Sequence, residues 1–264
     1  LSRSAAGERH LRQVIATNID TVMVVCGLDG DFNPARIERY FVLIEGSGAK
    51  AVVVLTKADL AADAQAMTEQ LKARMPAGTE IHAINAKTGF GVDALLAHLG
   101  PGSSTVLVGS SGAGKSTLTN TLLGEARQST QAVRANDSRG RHTTTYRSLI
   151  MLPSGGCLID TPGMREVKLT GDESFDGGQF DDIEELAGEC RFGDCSHLAE
   201  PSCAVRAALD DGRLDPERWH SYLKLRDELA AAAESLEAQL RRKSESRVLT
   251  KALGKRLDEK YGRH

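Results

Sequence analysis

The residues best suited to chemistry form a glycine-rich segment, Gly-Ser-Ser-Gly-Ala-Gly-Lys-Ser, at positions 109–116. Glycines in such a loop let consecutive backbone N–H groups turn toward an anion at the positive end of the following helix. Lys115 is then expected to reach the β- and γ-phosphates of a nucleotide, and the Ser116 hydroxyl to bind Mg²⁺. The segment therefore predicts a phosphate-binding loop. The expected contact residues are Gly109, Ser110, Ser111, Gly112, Ala113, Gly114, Lys115, Ser116 and Thr117.

The quartet Thr56-Lys57-Ala58-Asp59 predicts recognition of guanine. The Asp59 carboxylate can accept hydrogen bonds from the N1–H and 2-amino groups of guanine, and adenine offers neither donor. Lys57 is expected to lie along the base plane and to tie the loop together. By itself the quartet fits a solvated turn at a strand end equally well, so the prediction needs support from a second motif.

That support comes from Asn85-Ala86-Lys87-Thr88-Gly89, which follows the next apolar run. The backbone N–H of Ala86 would meet guanine O6, and Asn85 and Lys87 belong to the same contact set. Serine is the usual first residue of such a loop. Asn85 departs from that pattern, but its side chain can make similar local hydrogen bonds. The two motifs together predict a guanine nucleotide, GTP or GDP, as the ligand.

Asp160-Thr161-Pro162-Gly163 predicts the element that senses the γ-phosphate. Asp160 would hold Mg²⁺ through water, and the Gly163 N–H would contact the γ-phosphate. Upstream, residues 140–145 read Gly-Arg-His-Thr-Thr-Thr, and one of these threonines is expected to complete the Mg²⁺ shell when GTP is bound. Thr144 is the first choice, and the other two threonines remain alternatives.

The residue that would position the attacking water is less clear from the pattern. Many small GTPases place a glutamine directly after the glycine of this motif, but this chain has Met164, whose thioether cannot polarise water. His142 in the threonine-rich loop is the favoured candidate, and the alternative is a histidine that only contacts phosphate or a partner. Lys115 and Thr144 complete the predicted catalytic set. Turnover is expected to be slow until a partner orders the loop.

These motifs occur in an inverted order. An ordinary GTPase runs from the phosphate loop to the base-reading motif, whereas here residues 56–59 precede residues 109–116. The order predicts a circularly permuted GTPase, which a parallel sheet tolerates when its connections stay short. The strand before Asp160 then becomes the last of the domain. Whatever follows is attached directly to the element that responds to the γ-phosphate.

The elements that must position these loops are indicated by alternating apolar runs and helix-compatible segments. Strand-like runs occur at residues 22–26, 51–56, 80–85, 105–108, 149–152 and 157–159. Helix-compatible segments occur at residues 34–45, 63–75, 92–99 and 116–123. This alternation predicts an α/β fold with a mostly parallel sheet covered on both faces. The last two runs read as an antiparallel hairpin.

Three cysteines and a histidine have the spacing of metal ligands: Cys190, Cys195, His197 and Cys203. Three thiolates and one imidazole are a complete tetrahedral set for one structural Zn²⁺. The segment is too loop-rich for a core of its own, so the metal would hold it together. Independent buried thiols are the alternative. Cys26 and Cys157 lie in apolar runs and are expected to be buried free thiols, a usage that fits a reducing cytoplasm.

The region after residue 170 differs in composition. An acidic stretch leads to the cysteine cluster and then to a helix that Asp215 would cap and Pro216 would begin. An apolar stripe on this helix, expected to be packing surface, comprises Trp219, Tyr222, Leu223, Leu229, Leu236 and Leu240. The lysine- and arginine-rich tail is a candidate RNA-contacting surface, with a solvated helix face as the alternative. We therefore expect a GTPase domain at residues 21–170 and a small helical zinc-binding domain at 171–264.

The bulk composition excludes some classes of function. The net charge is −3, so any surface that binds nucleic acid must be local. No apolar run approaches the roughly 18 residues of a membrane helix, and no signal-peptide pattern is present, so no membrane partner is expected.

The motifs as a set resemble the RsgA (YjeQ/YloQ) family of ribosome small-subunit-dependent GTPases. The most specific matches are the threonine-rich loop and the segment Cys-Arg-Phe-Gly-Asp-Cys-Ser-His-Leu-Ala-Glu-Pro-Ser-Cys-Ala-Val at 190–205. The resemblance implies a monomeric bacterial factor that binds the 30S subunit and its 16S rRNA late in assembly. The family's activity is hydrolysis of GTP to GDP, stimulated by the subunit. The family normally begins with an OB-fold domain, so residues 1–20 are expected to be its remnant or a linker.

Two other functions remain open at this level. The chain could be a nucleotide-sensing zinc protein that uses GTP only as a conformational ligand. It could also be a zinc-finger-like regulator that binds nucleic acid and retains a vestigial GTPase fold. The intact set of Lys115, Ser116 and Asp160 argues against the second alternative.

Overall fold

The computed structural model describes residues 1–4, 12–124, 147–163, 168–175 and 177–261. It begins with a small antiparallel hairpin of strands β1 (Ser2–Ser4) and β2 (Arg12–Val14). The remaining strands form one six-stranded sheet: β3 (Thr21–Gly27), β4 (Lys50–Thr56), β5 (Glu80–Ala83), β6 (Ser104–Val108), β7 (Ser148–Met151) and β8 (Cys157–Asp160).

The strand order in the sheet is β5-β4-β3-β6-β8-β7. Every neighbouring pair is parallel except β7 and β8, which form an antiparallel hairpin. This confirms the predicted mostly parallel sheet and its terminal hairpin. Because β3, β4, β5, β6 and β8 all point the same way, the loops that follow them lie along one edge of the sheet, here called the carboxyl edge.

The α-helices are α1 (Pro34–Glu45), α2 (Ala64–Lys72), α3 (Lys115–Leu123), α4 (Asp181–Gly188), α5 (Ala204–Asp210) and α6 (Pro216–Tyr261). The start of α1 follows from its sequence, since the Asn33 side chain accepts a hydrogen bond from Arg36 N and Pro34 occupies the first turn. The segment expected to be helical at 92–99 is a 3-10 helix, Val92–His98, that begins after Gly91 in a left-handed conformation (φ 75°). Short connectors of this kind commonly adopt the tighter helix.

Side chains of the central strand alternate between two cores. Val22, Val24 and Cys26 of β3 face a core that includes α1 and the C-terminal helices. Met23 and Val25 face a second core that includes α3 and the 3-10 helix. The sheet is therefore covered on both faces, as the continuous apolar runs predict. Cys26 is buried as expected, whereas Cys157 is partly exposed.

The C-terminal helices are joined to α1 by a buried group of charged residues, here called the Glu38 cluster. Glu38 has no exposed surface, and its carboxylate accepts hydrogen bonds from Arg74 Nε at 2.8 Å and from Arg218 at 3.0 Å. Its second oxygen accepts from Ser221 Oγ at 2.5 Å. The carboxylate of Asp182, on α4, accepts two further hydrogen bonds from Arg218, one from Nε at 2.7 Å and one from Nη2 at 2.6 Å.

The buried face of α6 differs from the predicted apolar stripe. Among the α6 side chains that the structure describes, the buried ones are Arg218, Ser221, Leu225 and Ala232, while Leu240 is 57% exposed. Trp219 and Tyr222 are partly buried and pack against the first core, as the stripe predicts. Arg218 and Ser221 can be buried because their hydrogen bonds to Glu38 offset the cost of removing polar groups from water. A hydrophobic pattern in the sequence cannot reveal such a contact.

The chain that leaves the sheet after β8 runs between the N-terminal hairpin and α6. The backbone N–H of Ser4 donates to the Lys168 carbonyl at 3.0 Å, and the Leu169 side chain is buried. Gly171 (φ 93°) lies so close to α6 that an added Cβ would sit 2.6 Å from the Ala232 carbonyl carbon. Along the described part of the chain, no helix combines the length and apolarity needed to cross a membrane.

Candidate functional site

The glycine-rich segment forms a loop between β6 and α3 at the carboxyl edge. Gly109, Gly112 and Gly114 all have positive φ, at 149°, 84° and 96°. A Cβ at Gly109 would collide with the Val25 carbonyl oxygen, and one at Gly114 would lie 3.0 Å from Thr56 Oγ1. These positions need glycine both for backbone conformation and for close approach to neighbouring strands. The loop thus has the backbone form that cradles phosphate.

Lys115 lies beneath this loop and is buried. Its Nζ donates to the carbonyl oxygens of Gly109 at 2.9 Å and Ser110 at 2.8 Å. Burial lowers the pKa of Lys115 to about 8, while the carboxylates of Asp160 and Asp31 oppose that shift. The ammonium is therefore held inside the loop by two carbonyl groups, at the place where a phosphate would supply a stronger anionic partner.

The predicted base-reading motif at the end of β4 is tied to the phosphate loop. Thr56 Oγ1 donates to the Ala113 carbonyl at 2.5 Å, so the two loops share a direct hydrogen bond. Lys57 adopts a left-handed conformation (φ 58°), and its Nζ contacts Asp29 Oδ2 at 2.6 Å. This conformation turns the chain into the short 3-10 helix that carries Asp59, whose side chain is exposed.

The second predicted base loop follows β5 and is closed by Asn85. Its side-chain oxygen accepts hydrogen bonds from the backbone N–H groups of Lys87 at 3.0 Å and Thr88 at 3.3 Å. The hydroxyl of Thr121, on α3, donates to the Ala86 carbonyl. The Asn85 side chain thus helps to shape the turn, and a residue of the helix after the phosphate loop contacts it.

The end of β8 brings the fourth predicted loop against the first. Asp160 is fully buried, and Thr161 Oγ1 donates to the Leu107 carbonyl of β6 at 2.6 Å. A Cβ on Gly163 would lie only 2.5 Å from Ser111 Cα, so the backbone of Gly163 rests directly on the phosphate loop. His142, Thr144 and Met164 lie outside the described residues. Four of the predicted motifs therefore meet at one edge of the sheet.

Asp31 is a member of this site that the sequence analysis missed. It lies in the loop between β3 and α1, where its carboxylate accepts from Ser110 Oγ and from the Arg36 guanidinium at 2.6 Å. The sequence signal that could have identified Asp31 is its position, because Asp29-Gly30-Asp31 begins two residues after the end of the buried strand β3. Asp31 places a negative charge beside the phosphate loop and fixes the position of Ser110.

The oxygen atoms near the loop suit Mg²⁺. Ser116 lies in the first turn of α3, and the buried Asp160 lies close enough to Lys115 to influence its pKa. A hydroxyl and a carboxylate, completed by phosphate oxygens and water, are the donor set that Mg²⁺ prefers. Ser116 and Asp160 therefore fit the predicted metal-binding role.

The four predicted zinc ligands converge in the segment between α4 and α5. Their donor atoms all lie within 4.8 Å of one another: Cys190, Cys195, His197 and Cys203. Cys190 Sγ lies 3.9 Å from Cys203 Sγ, and the His197 Nδ1 atom lies 3.6 and 3.4 Å from these two sulfurs. A tetrahedral Zn²⁺ site requires about 3.8 Å between sulfurs and about 3.6 Å between sulfur and nitrogen. The cluster fits a structural zinc ion.

Two neighbours shape this cluster. The Glu200 carboxylate accepts hydrogen bonds from the backbone N–H groups of Ser196, Leu198 and Ala199 at 2.9 to 3.0 Å, which fixes the turn around His197. The His197 ring meets the Trp219 ring edge to face, with centroids 5.6 Å apart. Trp219 therefore links the cluster to α6.

The chain was compared with known proteins. The family model described as RsgA GTPase matches residues 1–170. A protein of Xanthomonas euvesicatoria pv. vesicatoria (strain 85-10), named small ribosomal subunit biogenesis GTPase RsgA, is 62% identical over 239 residues, which cover 89% of this chain. A protein of the same name from Xanthomonas oryzae pv. oryzae (strain MAFF 311018) is 61% identical over the same length. The chain spans 65% of the length of these relatives.

Two solved structures share the fold. The crystal structure of YjeQ from Thermotoga maritima matches with a TM-score of 0.55 and 28% identity, covering 81% of this chain and 72% of that one. The structure of YloQ, described as a circularly permuted GTPase, matches with a TM-score of 0.55 and 27% identity, covering 81% and 69%. The inverted order of the motifs agrees with that description. The chain belongs to the RsgA GTPase family.

Proposed function

We propose that this chain is a Mg²⁺-dependent GTPase that acts in maturation of the small ribosomal subunit. The observation that carries the proposal is the convergence of four loops at the carboxyl edge, where Thr56, Thr121 and Gly163 bring the other three against the phosphate loop or the helix after it. The proposal agrees with the names of the Xanthomonas relatives, which call those proteins small ribosomal subunit biogenesis GTPases.

Each loop has a separate task in this proposal. Lys115 exchanges its two carbonyl partners for the β- and γ-phosphates, and the backbone of the phosphate loop surrounds them. Asp59 accepts hydrogen bonds from the guanine edge, with Lys57 and the Ala86 N–H beside it. Ser116, Asp160 and Thr144 would hold Mg²⁺. When bound, that ion neutralises charge that develops on the phosphate oxygens.

His142 is proposed to orient the attacking water. His142 and Thr144 are two residues apart in the sequence, so one partner contact to this segment would position both of them relative to the γ-phosphate. The partner proposed is the 30S subunit with its 16S rRNA, contacted in part by the lysine- and arginine-rich tail. GTP hydrolysis would then be slow in the free protein and stimulated by the subunit.

The proposed organisation has three parts. Residues 1–20 precede the GTPase domain, residues 21–170 form that domain, and residues 171–264 form the zinc-binding helical domain. One Zn²⁺ at the cysteine cluster would stabilise the third part and would fix residues 190–203 relative to α6. The protein is proposed to act as a monomer in the cytoplasm.

The test measures phosphate release from GTP with and without purified 30S subunits. It uses this chain and the full-length protein of a Xanthomonas relative. Subunits should raise the turnover rate, and Lys115→Ala should abolish turnover in both conditions. GTP binding without turnover in either condition would instead support a nucleotide-sensing binding protein. Sequence-specific binding to nucleic-acid duplexes at nanomolar concentration, without turnover, would favour the regulator.

A further inference from the structure

A second group of metal-binding side chains lies at the opposite edge of the sheet. Glu80 and His82 belong to β5, and His98 ends the 3-10 helix that precedes β6. Their donor atoms lie within 4.8 Å of one another. Glu80 begins β5, so the group lies at the amino ends of the strands, away from the nucleotide loops and from the cysteine cluster. Neither the proposed GTPase chemistry nor the structural zinc site uses these residues.

One carboxylate oxygen lies between the two imidazole rings. Glu80 Oε2 is 2.9 Å from His98 Nε2 and 3.6 Å from His82 Nε2. In a tetrahedral site with bonds of 2.0 to 2.1 Å, nitrogen and oxygen ligands lie about 3.3 Å apart. A cation would thus need only small shifts of these three side chains to bind all of them.

His82 supplies a second observation that points to a ligand. Its Nε2 atom is buried and has no hydrogen-bond partner among the described residues. The nearest carboxylate oxygen, at 3.6 Å, is beyond hydrogen-bonding distance. Leaving a buried polar atom unsatisfied is unfavourable, and a metal bond to the lone pair of Nε2 would remove that cost.

The other carboxylate oxygen of Glu80 is held in place. Lys50 Nζ, from the neighbouring strand β4, contacts Glu80 Oε1 at 2.5 Å. This contact leaves Oε2 directed toward the imidazoles. Hydrogen-bonded outer partners of this kind orient metal-binding carboxylates in many known sites. The alternative is that Glu80 simply forms an ion pair with Lys50 and a hydrogen bond with His98, with no metal.

We propose that Glu80, His82 and His98 form a second metal site that takes Zn²⁺ or a similar divalent cation that prefers imidazole. Two imidazoles and one carboxylate are a ligand set of catalytic zinc sites, and they leave a fourth position for water. Glu80 is 38% exposed and His82 24% exposed, so solvent reaches the side chains of this group. The ion would cross-link β5, which precedes the second base loop, to the 3-10 helix, which follows that loop.

The test titrates metal into the full chain in two stages. One equivalent of Zn²⁺ is first added to metal-free protein to fill the cysteine cluster, and further Zn²⁺ is titrated by calorimetry. The wild-type chain should bind one more equivalent. His82→Ala and His98→Ala should each weaken that step by at least about 100-fold, because losing a direct ligand costs more than losing an outer partner. His220→Ala, which removes an exposed histidine of α6, is the matched control and should bind like wild type.

Two outcomes would overturn the proposal. One is a wild-type chain that binds a single equivalent, and the other is a second equivalent that neither His82→Ala nor His98→Ala affects. If a variant fails to fold, the wild-type chain is measured by NMR instead. In its ¹⁵N spectrum, the second equivalent should shift the Nε2 resonances of His82 and His98. Resonances that stay in place while the ion binds would also overturn the proposal.

Discussion

Replacing Glu38 by glutamine should weaken the packing of the C-terminal helices against α1. Glu38 is fully buried, and its carboxylate contacts two guanidinium groups and the Ser221 hydroxyl. A Glu38→Gln substitution keeps the shape of the side chain but leaves Arg74 and Arg218 without their shared negative charge. Removing one partner of a buried ion pair costs about 3–5 kcal/mol.

The structure places the expected cost at the lower end of that range. Asp182 keeps both of its contacts with Arg218, so only part of that guanidinium loses its partner. We therefore expect Glu38→Gln to lower the free energy of unfolding by about 3 kcal/mol. Glu228→Gln is the matched control, because Glu228 also joins α6 to α1, through Arg39 at 2.6 Å, but both side chains are partly exposed. That pair should contribute about 1 kcal/mol or less.

The assay is urea unfolding with saturating Zn²⁺, followed by circular dichroism and by tryptophan fluorescence. Trp219 is the single tryptophan of the chain and lies on α6 beside His197, so fluorescence reports on the C-terminal helices while circular dichroism reports on the whole chain. In Glu38→Gln the fluorescence transition should move to lower urea than in Glu228→Gln. Equal losses in the two variants would refute the reasoning, because they would mean that burial gives Glu38 no larger role than a surface ion pair.

The remaining predictions concern the nucleotide and zinc sites. Asp59→Asn should weaken binding of guanine nucleotides and favour xanthine nucleotides, since the amide presents a donor where guanine also has one; competition binding measures this, and an unchanged preference would contradict the base-reading role. His142→Ala should lower turnover with little change in GTP affinity, and an equal loss of both would make it a binding residue instead. Removing zinc with a chelator should change Trp219 fluorescence while leaving GDP binding intact; loss of both would show that the cluster supports the GTPase domain directly. Because burial lowers the pKa of Lys115 to about 8 and a bound phosphate favours the charged amine, GDP binding should take up a proton above that pH, and GDP affinity should fall as the pH rises from about 8 to 10.5. Calorimetry in buffers of different ionisation enthalpy detects this uptake, and none at pH 8.5 would contradict the assignment.

The sequence predicts the sheet and the nucleotide loops well because their determinants are local. A phosphate loop, such as the one that contains Lys115, is defined by consecutive residues, and each strand before a loop is a short apolar run. The same is true of the start of α1, where Asn33 and Pro34 act within one turn. For such elements the neighbouring residues carry nearly all of the required information.

Residues that act through long-range contacts are not predictable in this way. Glu38 and Arg218 are 180 positions apart, and each resembles an ordinary surface residue of an amphipathic helix. The periodicity of α6 favours Leu240 as packing surface, yet Leu240 is exposed, whereas Arg218 and Ser221 are buried because Glu38 faces them. The contact between Asp31 and Ser110 and the group of Glu80, His82 and His98 also depend on the assembled sheet, which brings together residues that are distant in the sequence.

The contact between Gly171 and α6 has a geometric consequence for the far end of the chain. The contact lies at Ala232, and the part of α6 beyond it spans about 43 Å at a rise of about 1.5 Å per residue. If α6 tilts as a rigid body about its contact with Gly171, each degree of tilt moves its C-terminal end by about 0.75 Å. Gly163, which we propose contacts the γ-phosphate, lies eight residues before Gly171 in the sequence. A tilt of about 4° at this contact would therefore move the end of α6 by about 3 Å.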